Sequence, residues 1–238
     1  MMYVNGQAVC PTQTIIKEVP KISGYITSGL VYDFQFRKFP SYDEISNSIL
    51  ECDTVGSSID LTNVPCINNI HQTNNSQVRI TELTQCKGST NFTISIWHKK
   101  TNSVDSNLRS IIETGKPETY SGKSPALMTY TDGKLFFSAY YADITTNIVY
   151  PLNEWHNVVV TSDGTTVKLY YDGTLVGQIS TTVTMGTSDY CKCSISRTIN
   201  GDGATTGYYG NLLIYNRALT DAEILSNYNS TKGYFGVN

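Results

Sequence analysis

From Leu30 onward, apolar and polar residues alternate with a period of two, the signature of strands with one buried face. Leu30, Tyr32, Phe34 and Phe36 fall on one face, with Val31, Asp33 and Gln35 on the other. Phe92, Ile94 and Ile96 alternate with Thr93, Ser95 and Trp97. Leu135, Phe137, Ala139 and Tyr141 repeat the pattern, and so do Val167, Leu169 and Tyr171. Between such runs stand Asp132-Gly133, Asp163-Gly164 and Asp172-Gly173. Asp-Gly between alternating runs predicts hairpins with type I′ turns, which need positive φ at both central residues. Three in close succession predict an antiparallel meander. One helix is marked near the end, over Asp221–Tyr228. Thr220 and Glu223 stand at capping-box spacing, and Leu219 and Ile224 at the staple positions around them. Residues 1–23 carry Pro11 and Pro20 and no sustained period, which predicts an extended N-terminal arm that docks on something. Residues 24–238 are expected to form one domain, with long loops in its least readable part, from about Pro40 to Gln85.

Composition narrows the fold class. Charged residues make up 16% of the chain, against roughly 25% in an average soluble domain. Thr, Ser and Asn are over-used and there are 17 Tyr, which suits half-buried sheets better than helices. A net charge of −3 and a pI near 5.6 argue against a nucleic-acid partner. No apolar run approaches the roughly 18 residues of a membrane span, so no membrane partner is expected. The start, Met1-Met2-Tyr3-Val4-Asn5-Gly6-Gln7, has neither the basic nor the apolar part of a secretory signal. Cys10, Cys52, Cys66, Cys86, Cys191 and Cys193 are too sparse for a disulfide scaffold and lack zinc spacing. Buried free thiols are expected, with those of Cys191 and Cys193 on one face of a strand.

Four blocks then carry a family resemblance. Pro151 to Gly164, with Trp155-His156-Asn157-Val158-Val159-Val160-Thr161 and Asp163-Gly164 at its centre, resembles the W-H-x-V-x-V-T-x-D-G core of laminin-G-like domains. These belong to the concanavalin A-like lectin/glucanase superfamily. Val167 to Gly177 is similar to that family's L-Y-x-D-G-x-L-V-G hairpin, and Phe92 to Trp97 to its F-T-I-S-x-W strand. Gly210 to Ile224 resembles its closing Y-N-R-A-L-T segment. The blocks occur in family order and cover about residues 90–228. The resemblance implies an all-β fold: a two-sheet antiparallel jelly-roll sandwich with one short C-terminal helix. Within it Trp155 is expected as a core aromatic between the sheets, and Arg217 as the partner of a loop carboxylate or carbonyl. A fold of this kind does not fix an activity.

The chain carries no familiar catalytic pattern. Hydrolases of the superfamily place acids at alternate positions of one strand, Glu-X-Asp-X-Glu, so that the carboxylates share a face. The nearest match, Glu51-Cys52-Asp53-Thr54-Val55, has Val55 where the second acid belongs, and Glu113, Glu118 and Glu154 stand singly. There is no GxSxG elbow, and His71, His98 and His156 lack HExxH spacing. Gly122-Lys123-Ser124 hints at a phosphate loop but Pro117 replaces its first glycine, and Gly201, Gly203 and Gly207 miss GxGxxG by one residue. His98 and His156 read as satisfied strand-edge residues. The chain is therefore expected not to be an enzyme.

Binding remains open. Asp189, Asn200, Asp202, Tyr208 and Tyr209 flank a Gly-rich turn and form the densest set of carboxylates, amides and aromatics. Jelly-roll lectins hold sugars with such groups, and related domains hold Ca²⁺, so a carbohydrate or Ca²⁺ rim is the candidate site. The competing reading is turn chemistry, since Asp, Asn and Gly are what tight turns require. By analogy with sequences of this type, the chain is expected to be a structural protein of a tailed-bacteriophage virion, a head decoration or fibre. It would sit on the virion surface, hold virion proteins through the arm, bind glycans with the domain, and work as a homo-oligomer or within a larger assembly. The alternatives are a glycan-binding module of a cellular protein and a glycoside hydrolase with a displaced site.

Overall fold

The computed structural model describes residues 21–35, 82–101, 109–115, 122, 124–188, 190–196 and 205–238 in full, and short strands within 2–9 and 50–80 as backbone. The strands run in order β1 (Met2–Val4), β2 (Gln7–Val9), β3 (Leu30–Phe34), β4 (Leu50–Cys52), β5 (Ser57–Asp60), β6 (Cys66–Asn69), β7 (Val78–Ile80) and β8 (Asn91–Lys100). They continue with β9 (Arg109–Gly115), β10 (Ala126–Thr129), β11 (Lys134–Ser138), β12 (Ile144–Val149) and β13 (Trp155–Asp163). The last are β14 (Thr166–Tyr171), β15 (Thr174–Ser180), β16 (Lys192–Ile195) and β17 (Gly207–Tyr215), followed by helix α1 (Asp221–Thr231) and a 3-10 turn at Lys232–Phe235.

Two antiparallel sheets make the sandwich. One has seven strands in the order β12-β11-β10-β9-β16-β7-β4, the other eight in the order β15-β14-β13-β8-β17-β6-β5, with β3 also paired to β17. The core lies between them, where Ile112, Leu127, Phe137 and Ile195 of the first meet Ile94, Val158, Leu169 and Leu212 of the second. The alternation in β8 and β14 falls as the sequence predicts. In β3 it does not: Val31 joins the core while Leu30 packs on the outside. The register slips between Ile214 and Tyr215, so that Tyr32 and Leu30 face consecutive partners and Val31 is the extra residue of a bulge.

The three Asp-Gly pairs each join successive antiparallel strands, but the meander is divided, with β10-β11-β12 in one sheet and β13-β14-β15 in the other. Only Asp172-Gly173 takes positive φ at both residues, 48° and 76°, because only there does the register leave a two-residue loop, Tyr171 facing Thr174. At Gly133 and Gly164 the glycine alone is left-handed.

A third layer covers part of the outer face of the eight-stranded sheet. Helix α1 begins with the predicted capping box and runs three residues past the expected end. Its Ile224 packs with Leu219, Val159 and Leu213. Ahead of β3 the chain crosses the same face. Ile22, inside the stretch expected to be an arm, is 0% exposed and packs with Trp97 and Phe235. Its N–H donates to Gln35 Oε1 at 2.8 Å. In the stretch also expected to be extended, β1 and β2 pair antiparallel, with Val4 facing Gln7.

Candidate functional site

The outer layer stops short of the end of the sheet where β13 begins and β8 finishes, and there three side chains form a row. Trp155 of β13 and Tyr208 of β17 each stand directly opposite Lys99 of β8. Lying across adjacent strands in register, the three share the outer face. All are half-buried. The two rings lie 6.4 Å apart at 55° to each other. The Lys99 ammonium is held over both, 4.7 Å from the Tyr208 ring centre and 5.9 Å from that of Trp155. On the backbone the row continues from Tyr208 to Asn68 of β6 and Ser58 of β5.

A bulge puts Tyr208 there. The register slips between Tyr209 and Leu212, so one residue is inserted in β17 relative to β8. Strict alternation would place Tyr208 on the same face as Leu212 and Ile214, inside the core; the extra residue reverses the parity. Tyr209 turns inward instead. It is 0% exposed, stacks on His98 at 4.7 Å and donates from its hydroxyl to Thr205 O, so it is a core residue and not part of a rim. Trp155 is corrected in the opposite sense. It is not between the sheets, where Val158 and Val160 of its strand lie, but outside, against Phe235 at 5.0 Å. Phe235 is in turn stacked on Trp97 at 4.3 Å. Gly210 at the bulge admits that ring: a Cβ there would lie 2.3 Å from Phe235 Cε1. The row therefore stands on a fixed aromatic base.

Asp189, Asn200 and Asp202 lie outside the described residues. The neighbours of Asp189, however, belong to the other end of the sheet. Thr187 and Tyr190 bond to each other beside Met185, which bridges Ser89 just before β8 starts. Ten residues of strand separate Ser89 from Lys99, about 30 Å. Thus the structure does not bring the flanks of Asp189 to Tyr208. No cluster of three or more His, Cys, Asp or Glu that could hold a metal occurs among the described residues. Cys86, Cys191 and Cys193 are free and buried, and burial pushes the Cys86 thiol up to about 12.

Two buried polar groups lie near the row without belonging to it. His98 follows Trp97 on β8 and faces the core directly opposite His156. It is no edge residue: it is 0% exposed, and neither ring nitrogen meets a hydrogen-bond partner among the described residues. His156 is held by Asp172, Nδ1 to Oδ2 at 2.7 Å, and stacks on Tyr171. Beneath the chain that crosses to β3, Asp33 accepts from the Tyr25 hydroxyl, from Gln35 Nε2 at 2.8 Å and from Asn211 Nδ2 at 2.9 Å. Burial still raises its pKa, and the same burial with Asp33 alongside raises that of Tyr25.

Sequence reading named Tyr208 and missed Lys99 and Trp155. Alternation from Phe92 through Trp97 to Lys99 puts the lysine on the outer face. In β13 three consecutive valines hide the parity of Trp155.

The family model described as concanavalin A-like lectin/glucanases superfamily, of laminin G type, matches residues 72–225. No curated protein matches the chain. Among solved structures it is similar to the binding domain of paraclostridial mosquitocidal protein 1, with 17% identity and a TM-score of 0.70 over 88% of this chain and 55% of that one. It is similar to domain 4 of an extracellular arabinanase from Geobacillus stearothermophilus, solved with arabinotriose, at 14% identity and a TM-score of 0.63 over 85% of this chain and 98% of that domain. A third is the binding domain of botulinum neurotoxin DC in complex with SialylT, with 17% identity and a TM-score of 0.65 over 87% of this chain and 52% of that one. The chain thus spans about half the length of these toxin binding domains, and at such identities the likeness is one of fold.

Proposed function

The chain belongs to the concanavalin A-like lectin/glucanase superfamily, and from that premise we propose that it is a carbohydrate-binding module whose site is the row Trp155–Lys99–Tyr208. The observation that carries this reading is a half-exposed aromatic pair fixed on a rigid sheet, with an ammonium over both rings. A sugar presents apolar C–H faces and a rim of hydroxyls. Aromatic rings bury the former at little entropic cost, and polar tips answer the latter. The similar folds support a binding role over a catalytic one: two are toxin binding domains, and the arabinanase domain was solved with a sugar. The test is a glycan array with Ca²⁺ and with chelator, the two arms also reporting on Asp189 and Asp202. Tyr208→Ala should lower affinity for any hit about tenfold, as losing an interface aromatic does. Hits that survive both Tyr208→Ala and Trp155→Ala would move the site elsewhere.

For the carrier we propose a tailed-phage virion, with the module on its surface as a decoration or fibre subunit and the N-terminal residues bound to virion proteins or to further copies of the chain. Support comes from the Thr-, Ser- and Asn-rich composition and from resemblance to phage structural modules. Because Ile22 is buried, the informative truncation removes residues 1–20. It should leave a folded domain that no longer assembles; a truncated domain that assembles as before would overturn the docking role.

A further inference from the structure

We infer that the Trp155–Lys99–Tyr208 site selects saccharides that carry a carboxylate. This deepens, and rests on, the reading of that row as a sugar site. Lys99 is the only charged residue in the row, and among the described residues no carboxylate pairs with it: its ammonium lies over the faces of two rings. Ring quadrupoles position a cation without neutralising it. The acid nearest in sequence, Glu154, has its Oε2 3.7 Å from His156 Nε2. Lys232 sits 5.9 Å from the Tyr228 ring centre, and Arg217 is taken up by Glu223. Among the described residues the row thus carries one positive charge with no carboxylate partner, although the whole chain carries a net −3.

The neighbouring donors point the same way. The two rings beneath the ammonium also carry the Trp155 indole N–H and the Tyr208 hydroxyl, and neither makes a hydrogen bond to the described residues. A site that offers an ammonium over two ring faces, with an N–H and an O–H on the same rings, matches a carboxylate set on an apolar sugar face. A neutral sugar would leave the charge unanswered, while a carboxylate gains a charge-assisted bond of about tenfold in affinity. Such a carboxylate can come from a uronic acid in a polysaccharide or from a sialic acid on a glycoconjugate, and the two call for separate probes.

Isothermal titration of the full chain decides the matter, with sialyllactose against lactose and tri-galacturonate against its carboxyl-reduced trisaccharide. At least one acidic member should bind about tenfold tighter than its neutral partner, and added salt should erode that ratio. In Lys99→Gln the ratio should collapse toward one, and in Lys99→Arg it should return. Tyr208→Ala should weaken both members of the pair. Acidic and neutral partners that bind equally, with loss in Tyr208→Ala, would overturn the acid preference and leave the sugar site standing. Binding to no saccharide would remove both readings. Capture by phosphatidylserine vesicles lacking any glycan, dependent on Lys99, would overturn the inference in favour of a lipid surface.

Discussion

At the scale of the residue, Arg217 and Glu223 show how one contact organises the end of the chain. Arg217 donates from Nη1 and Nη2 to the two carboxylate oxygens of Glu223, at 2.9 and 2.7 Å, and from Nε to Ser28 O. Glu223 also accepts from the Thr220 N–H, so a single carboxylate closes the capping box and ties the helix to the loop before β3. The partner expected for Arg217 was a loop carboxylate or carbonyl; it has a carbonyl, and its carboxylate belongs to the first turn of α1. These bonds, the Arg217 pair first, hold the Glu223 carboxyl down at about 2, against an ordinary 4.5. A depressed folded-state pKa gives stability that is fully present above 4.5 and lost as the pH falls toward 2. The pair is partly solvent-exposed, so its effect is modest. Glu223→Gln should lower the melting temperature at pH 7 and flatten its decline below pH 4.5. A variant whose acid limb parallels the wild type would show that the carboxylate is not held as described.

At the scale of the element, regular patterns were legible and departures from them were not. The alternation in β8 and β14, the three hairpin positions and the capping box all follow from local chemistry, and each is where the residues place it. Two bulges broke the inference. Val31 and the Gly210 region each add a residue to one strand only, and nothing in the sequence marks which strand yields when two are paired. The second bulge mattered most, because it decides which of two adjacent tyrosines is a surface group. Tyr208 and Tyr209 are indistinguishable by composition, yet one is half-buried beside Lys99 and the other lies sealed against His98. The site itself was illegible for a related reason. Its three members come from positions 99, 155 and 208, and only the order of strands β13-β8-β17 makes them neighbours. A turn-centred search finds residues close in sequence, whereas a sheet assembles its sites across strands.

At the scale of the whole molecule, the question is how a sandwich with so few charges responds to acid. Among the described groups whose pKa values are held down, His98 and Glu223 are shifted furthest, and their windows differ. Glu223 acts only below 4.5. His98 acts earlier: burial first, then the charges of Lys100 and His156, pull its pKa from an ordinary 6.5 to about 3. The groups around it leave the imidazolium uncompensated. Lys100 is on its own strand, His156 faces it from β13 with Asp172 already bonded to that ring, and Tyr150 and Tyr209 supply only ring faces. The unfolded chain takes up a proton at His98 below pH 6.5 that the folded chain refuses until about pH 3, so stability falls as the pH drops through that interval. One proton corresponds to a slope on the order of 1.4 kcal/mol per pH unit. Between pH 6.5 and 4.5, before Glu223 contributes, His98 lowers chemical-denaturation free energies as the pH falls. Asp33, whose pKa burial raises, works in the opposite direction, so the contribution of His98 is read from the difference between wild type and a His98 variant. His98→Leu keeps the volume and removes two buried nitrogens that lack partners among the described residues, so the variant should be at least as stable as wild type at pH 7. It should separate from wild type progressively toward pH 4.5 by a few kcal/mol. Curves that remain parallel across this interval would place the acid sensitivity elsewhere, with the His98 ring satisfied in solution. Since His98 lies directly behind Lys99 and against Tyr209, a sandwich that loosens there in acid would also loosen the row on its outer face. Ligand affinity measured over the same interval should then fall in wild type and hold in His98→Leu.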